Sequence, residues 1–239
     1  MIKYKSKSIK GAIFDLDGTL YCQSSLHRRM ALKMMIYFAL RPWRFRELIV
    51  IQNFRREVEK SAGAEVAGIG DIIRNNVATR NGLSTKRVEE ITNTWMIERP
   101  LSELPKCLYP GVQELFSQLR KNEVRIGILS DFPVEQKLKA LGLRVDAYRF
   151  AFEPDIDRLK PHPSGLITLL KDLGLSAGDC LYVGDRYDRD GLCALSLEMP
   201  FILKKSKKKF NKATGEIVAT VSDFRELQNF LLPKTPKTY

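Results

Sequence analysis

The sequence predicts an α/β protein: a Rossmann-like, doubly wound parallel sheet core with an inserted all-helical segment. Three observations carry this reading. Short apolar runs recur at residues 9–15, 124–129 and 180–183, and each ends in polar residues, as a buried strand opening into a turn does. Helical patterns fill the gaps between the later runs, and strands alternating with helices at short spacing need parallel crossovers. Residues 22–105 break that alternation: they hold helical patterns and no convincing strand.

Taken in order, residues 9–15 form the first strand and run into GAIFDLDGTL, which sets Asp15 and Asp17 at the strand end and Gly18 at the start of a turn. Helices are expected at residues 26–40, 44–60, 69–80 and 84–98, with Gly82 ending the third and Ser84 capping the fourth. The sheet domain then resumes. In residues 111–121, Val112, Leu115, Phe116 and Leu119 fall at helical spacing just after Pro110. VRIGIL (124–129) is the second strand and ends in Ser130-Asp131; CLYV (180–183) is the third and ends in Gly184-Asp185. Helices at 133–141 and 164–173, the latter stopped by Gly174, lie between them, and residues 201–203 read as a late strand. The domain reading is therefore a core in two pieces, 1–21 and 106–232, around a helical segment at 22–105, with a disordered tail at 233–239.

Bulk properties exclude several classes. The 239-residue chain is 44% hydrophobic and 28% charged, ordinary for a globular protein with a proper core. No stretch approaches the roughly 20 apolar residues of a bilayer span, and the apolar run after the N-terminal lysines is too short for a signal peptide. Four scattered cysteines and two histidines give no zinc spacing, so reduced thiols in a cytoplasmic protein are expected. The net charge of +12 suits phosphate-bearing substrates, nucleic acid or an anionic membrane, without choosing among them.

Adjacent parallel strands bring their ends together, which gathers Asp15, Asp17, Ser130 and Asp185, with Asp188 and Asp190 just beyond. Lys160, in LKPHP, sits in a proline-braced loop that can aim it at the same place. Crowded carboxylates raise one another's pKa, and Mg²⁺ relieves them by taking carboxylates together with substrate phosphate. Lysine and serine suit a phosphoryl group; one aspartate can attack phosphorus, and a second can shuttle the proton. The inventory fits phosphoryl transfer.

The ordered set DLDGTL, ILSD, LKPHP and VGDRYDRD resembles the four motifs of the haloacid dehalogenase-like superfamily, over a core from about residue 9 to 203. The resemblance implies Asp15 as nucleophile and metal ligand, and Asp17 as general acid/base whose backbone carbonyl also reaches the metal. It implies Ser130 on a phosphoryl oxygen, helped by the backbone N–H of Asp131, and Lys160 as the neutralising cation. Asp185 would bind Mg²⁺, with Asp190 or Asp188 ordering the ligand shell, and Gly18 and Thr19 would lie beside substrate. Many members carry asparagine where this chain has Asp131; because the backbone is what serves there, the extra charge is expected to matter little. Asp17 disfavours dehalogenation, and ion pumping would need transmembrane helices. The helical segment resembles a C1-type cap, which closes over the site and reads the leaving group. The expected activity is a Mg²⁺-dependent phosphatase on a small phosphorylated metabolite. Alternatives are a sugar-phosphate phosphomutase, a lipid or isoprenoid phosphate phosphatase, and a non-catalytic binding protein on the same fold.

Other features read more plainly. Residues 34–46 interleave arginines with aromatics and are taken as a buried helix followed by a solvated turn, with a lipid or membrane contact, or a stacked nucleotide, as the alternatives. The lysine run 204–209 reads as a solvated loop that could steer anions. His27 opens a helix near the catalytic turn and could touch substrate, but it and His162 are expected to be exposed, and nothing near Cys22 marks an activated thiol.

Overall fold

A computed structural model describes residues 3–4, 7–205 and 217–231. Six strands, all parallel, form one sheet: β1 (Gly11–Phe14), β2 (Arg125–Ser130), β3 (Ala147–Phe150), β4 (Cys180–Gly184), β5 (Phe201–Lys204) and β6 (Ile217–Val221). Their order is β3-β2-β1-β4-β5-β6, so the winding reverses beside β1. A doubly wound sheet opens a crevice at such a reversal, outside the carboxyl ends of its strands. Two strands have no counterpart in the sequence reading. β3 is half-buried throughout and carries Arg149 within it, and β6 is an outer edge, so neither shows the solid apolar run of a central strand.

Alternating side chains bind a helical layer to each face of the sheet. Phe14, Ile126, Ile128 and Val183 pack with α5 (Val112–Lys121), α6 (Glu135–Leu141) and α9 (Phe224–Leu231). Ile13, Leu129 and Tyr182 pack with α7 (Ser164–Leu173) and the short α8 (Leu192–Leu195). Phe14 is fully buried, 5.1 Å from the ring of Phe116, worth roughly 1.5–3 kcal/mol of transfer free energy.

Between β1 and β2 the described chain is helical: α1 (Gln23–Leu40), α2 (Arg46–Lys60), α3 (Ile69–Asn81) and α4 (Thr85–Thr92), the last continued by a wider turn over Asn93–Glu98. Ser84 accepts the N–H of Arg87 at 3.2 Å, and Gly82 ends α3 at φ +63°, as the cap and stop residues require. The chain leaves and re-enters the sheet at one point, where Tyr109 N–H meets Leu20 O at 3.1 Å and Cys22 N–H meets Cys107 O at 2.8 Å. Leu26, Met30 and Leu104 belong to the same apolar cluster as Phe14 and Ile128, so helices and sheet share one core. Inside the helical segment, buried Glu47 accepts from Trp95 Nε1 at 2.9 Å and from Arg87 at 2.8 Å.

Two expectations are corrected. The stretch 34–46 is not a buried helix: only Phe38 is buried, while Met35, Ile36, Leu40, Trp43 and Phe45 face solvent. Lys204 is not in a loop but closes β5, buried, with Nζ 3.4 Å from the Tyr109 ring centre. Residues 206–209 and 233–239 lie outside the described residues.

Candidate active site

Register alone delivers the acids. Phe14 pairs with Ile128 on one side and Val183 on the other, and the Asp15 N–H donates to Val183 O at 2.9 Å. Asp15, Ser130 and Asp185 therefore emerge at one end of three neighbouring strands. Gly18, at φ +100°, then turns the chain where a side chain could not follow: a Cβ there would stand 2.5 Å from Asp185 Oδ2. Gly184 is equally constrained, because its Cβ position falls 2.5 Å from Asp190 Oδ2.

Lys160 is the hub. Its buried ammonium donates to Asp15 Oδ1 at 2.7 Å and to Asp190 Oδ1 at 2.6 Å. Thr19 Oγ1 donates to the other oxygen of Asp15 at 2.8 Å, and the Arg186 N–H to Asp190 Oδ2 at 3.1 Å. Burial pushes the Asp15 carboxyl up to about 7, with Lys160 pulling down and Asp190 pushing further up. Asp185 also rises to about 7, through burial and then the charge of Asp15. Burial would lower Lys160, yet Asp15 and Asp190 hold it well above the usual lysine range. One oxygen from each of Asp15, Asp185 and Asp190 falls within 4.8 Å of the others. Three carboxylates, Asp15 and Asp190 buried and Asp185 half-buried, against one ammonium form a hard-oxygen donor set with charge to spare, which fits Mg²⁺. Asp188, by contrast, is exposed and pairs with Arg186 at 2.6 Å.

Asp17 faces a different partner. Lys137 Nζ lies 2.6 and 2.8 Å from its two oxygens, Ser130 Oγ donates to it at 3.2 Å, and the Tyr21 hydroxyl donates as well. Burial opposes its ionisation, but Lys137 outweighs that and keeps the carboxyl below its ordinary range. The sequence reading missed Lys137, although the signal was present. Val134, Lys137, Leu138 and Leu141 stand at i, i+3, i+4 and i+7, so the lysine occupies an apolar stripe, and it is buried.

The carboxylate of Asp131 does more than the backbone argument allows. It accepts the Lys160 N–H at 3.1 Å and Arg189 Nη1 at 3.3 Å, clamping the Lys160 loop to the turn that carries Asp190. Arg189 and Arg186 in turn reach Glu59 of α2 at 2.9 and 2.7 Å.

These groups line one end of a cavity of about 320 Å³. Its other walls come from the helical segment: Met30 and Met34 of α1, Ile51 and Arg55 of α2, and Trp95. Arg55 makes no ion pair among the described residues, and burial lowers its pKa. His27 also lines the cavity, its pKa lowered by burial and then by the charge of Arg55. With a divalent cation on the acid cluster, the site could hold an anion beneath a largely apolar roof with one guanidinium.

Known proteins resemble this chain in sequence and in fold. A family model for haloacid dehalogenase-like hydrolase matches residues 9–194. A glyceraldehyde 3-phosphate phosphatase of Methanopyrus kandleri is 28% identical over 190 residues, covering 76% of this chain and 78% of that protein. A phosphoglycolate phosphatase of Yersinia pseudotuberculosis is 28% identical over 193 residues, 77% of this chain and 75% of that one. In fold, a 2-haloacid dehalogenase of Pseudomonas syringae matches with TM-score 0.64 at 18% identity, over 93% of this chain and 98% of that one. A β-phosphoglucomutase of Clostridium difficile matches with TM-score 0.62 at 18% identity, over 92% and 93%.

Proposed function

The chain belongs to the haloacid dehalogenase-like hydrolases, and on that premise we propose that it is a Mg²⁺-dependent phosphomonoester hydrolase working through an aspartyl-phosphate on Asp15. The observation that carries the proposal is the Lys160 hub, which ties the nucleophile to the acid cluster in a buried pocket. Sequence relatives named as phosphatases support the same reaction class.

In this reading Asp15 attacks phosphorus and the bond to the leaving oxygen breaks; water later cleaves the acyl phosphate and regenerates the carboxylate. Lys160 and Ser130 hold phosphoryl oxygens, one by charge and one as a hydrogen-bond donor. Asp17 gives a proton to the leaving alcohol and takes one from the attacking water. Its pair with Lys137 favours the carboxylate, the form needed in the second step, so the first step requires that pair to loosen when substrate enters. Asp15, Asp185 and Asp190 would hold the Mg²⁺, with the Asp17 carbonyl beside them; when bound, the ion offsets carboxylate and phosphoryl charge together. The helices of 22–105 act as the cap, excluding water and contacting the leaving group with Met30, Trp95 and Arg55. The substrate is a small phosphorylated metabolite, and the expected location is the cytoplasm.

Release of inorganic phosphate across a panel of phosphomonoesters, with Mg²⁺ and with chelator, tests the proposal. Wild-type chain should turn over steadily without a bisphosphate activator, and Asp15→Asn should lose about 10⁴-fold or more in kcat. Unchanged turnover in Asp15→Asn would refute the mechanism.

A further inference from the structure

α1 carries two apolar stripes where a surface helix needs one. Leu26, Met30, Met34 and Phe38 follow one face inward, onto the shared core and the cavity. Leu32, Met35, Ile36, Ala39 and Leu40 stand at i, i+3, i+4, i+7 and i+8 on the opposite face, and all of them are exposed. Met35 is 64% exposed and Leu40 68%. The stripe does not stop with the helix. In the turn Pro42–Arg44, Trp43 is 74% exposed, and Phe45 after it is 57% exposed. A run of large apolar side chains this continuous marks an interaction surface rather than the scattered exposure found on any protein.

Charge selects the occupant. Residues 28–49 hold six cations (Arg28, Arg29, Lys33, Arg41, Arg44 and Arg46) and one acid, Glu47, which is buried and already taken by Arg44 and Arg87. Arg28, Arg41 and Arg46 make no ion pair among the described residues. A second copy of a chain of net charge +12 would bring arginine against arginine. A basic, aromatic-tipped apolar face suits an anionic lipid surface instead: tryptophan seats at the headgroup boundary, aliphatic side chains enter the acyl edge, and arginines meet lipid phosphates. No described helix is long and apolar enough to cross a membrane, which leaves a helix lying in the interface. We propose that the outward face of α1, with the turn Pro42–Arg44 and the start of α2, docks this protein on anionic membrane. The inference is independent of the hydrolase chemistry.

Vesicle sedimentation of the full chain tests it. Phosphatidylcholine vesicles containing phosphatidylglycerol should pellet the protein at low salt, phosphatidylcholine alone should pellet little, and high salt should weaken the first. Mixing with the anionic vesicles should shift Trp43 emission to the blue, while buried Trp95 stays constant. The double variant Leu40→Ser/Trp43→Ser keeps every charge, lies outside the cavity lining, and should lose about tenfold or more in vesicle partitioning. Its hydrolysis of a soluble aryl phosphate and its near-UV circular dichroism should match wild type, showing that the fold is intact. If it pellets like wild type, general charge attraction explains the binding and the docking face is wrong. Failure of the wild-type chain to bind anionic vesicles overturns the proposal outright. So does a stable dimer in solution that the double variant dissolves, because the occupant is then a second copy.

Discussion

The floor and the roof of the cavity are built by different rules. The floor is charged and built on strand ends and loops of the sheet: buried Lys160 bridges buried Asp15 and Asp190, with half-buried Asp185 beside them. The roof is Met30, Met34, Ile51 and Trp95 on helices, with Arg55, which has no ion pair among the described residues, beside them. Lys160 holds Asp15 and Asp190 in place before substrate arrives, so the reorganisation left to the floor lies at the Asp17–Lys137 pair. Adaptable thioethers and the Arg55 guanidinium would let the roof fit a leaving group on the function proposed above. On that function, chemistry and selectivity would occupy separate parts of the fold.

The sharpest way to break this division is Lys160→Met. It leaves buried Asp15 and Asp190 without a cation and should cost about 3 to 5 kcal/mol in denaturant unfolding, along with most of the phosphate release. A roof substitution that cost as much would erase the distinction.

The metal-free floor should also show in calorimetry against pH. Asp15 and Asp185 have folded pKa values of about 7, above their ordinary 3.8, so the folded state favours their neutral forms. That contribution is complete below the unfolded value and is lost as pH rises through about 7. The Tm of chelated protein should therefore carry a downward component between these limits, and the gain on adding Mg²⁺ should widen with it. Asp185→Asn should flatten the trend; an unchanged slope would remove Asp185 from the cluster.

On the roof, Arg55→Gln should raise KM about tenfold for substrates with a second anionic group while kcat changes about twofold at most. A fall in kcat with KM unmoved would instead assign Arg55 to the floor. The smallest effect belongs to the helical frame: Ser84→Ala deletes the cap on Arg87 N–H and should cost about 1 kcal/mol of thermal stability without touching kinetics.

The same division governs what could be read from the chain. Asp15, Ser130 and Asp185 each follow a buried apolar run, and parallel pairing converts that pattern directly into proximity. Lys160 lies in a loop, yet Pro161 and Pro163 just after it mark that loop as braced. Edge strands β3 and β6 escaped because half-burial dilutes the apolar signal. Lys137 escaped because a lysine on a helical stripe looks like an interruption until its partner, 120 positions away, is known. The exposed stripe of α1 escaped for the converse reason: apolar periodicity shows that faces exist, and packing decides which of them meets water.

Glu59 gives the floor one further property. Its carboxylate, on α2, straddles Arg186 and Arg189 in the turn that carries Asp190, so a single exposed side chain fastens the helical segment to the acid cluster. The Lys160 contacts to Asp15 and Asp190 are buried and little affected by the medium. This fastening is not: with a Debye length of about 8 Å at physiological ionic strength, counterions weaken it. The tie between the helices and the acid cluster is therefore set partly by the ionic strength of the surroundings: rising salt weakens it, while the shared apolar core keeps the helices on the sheet.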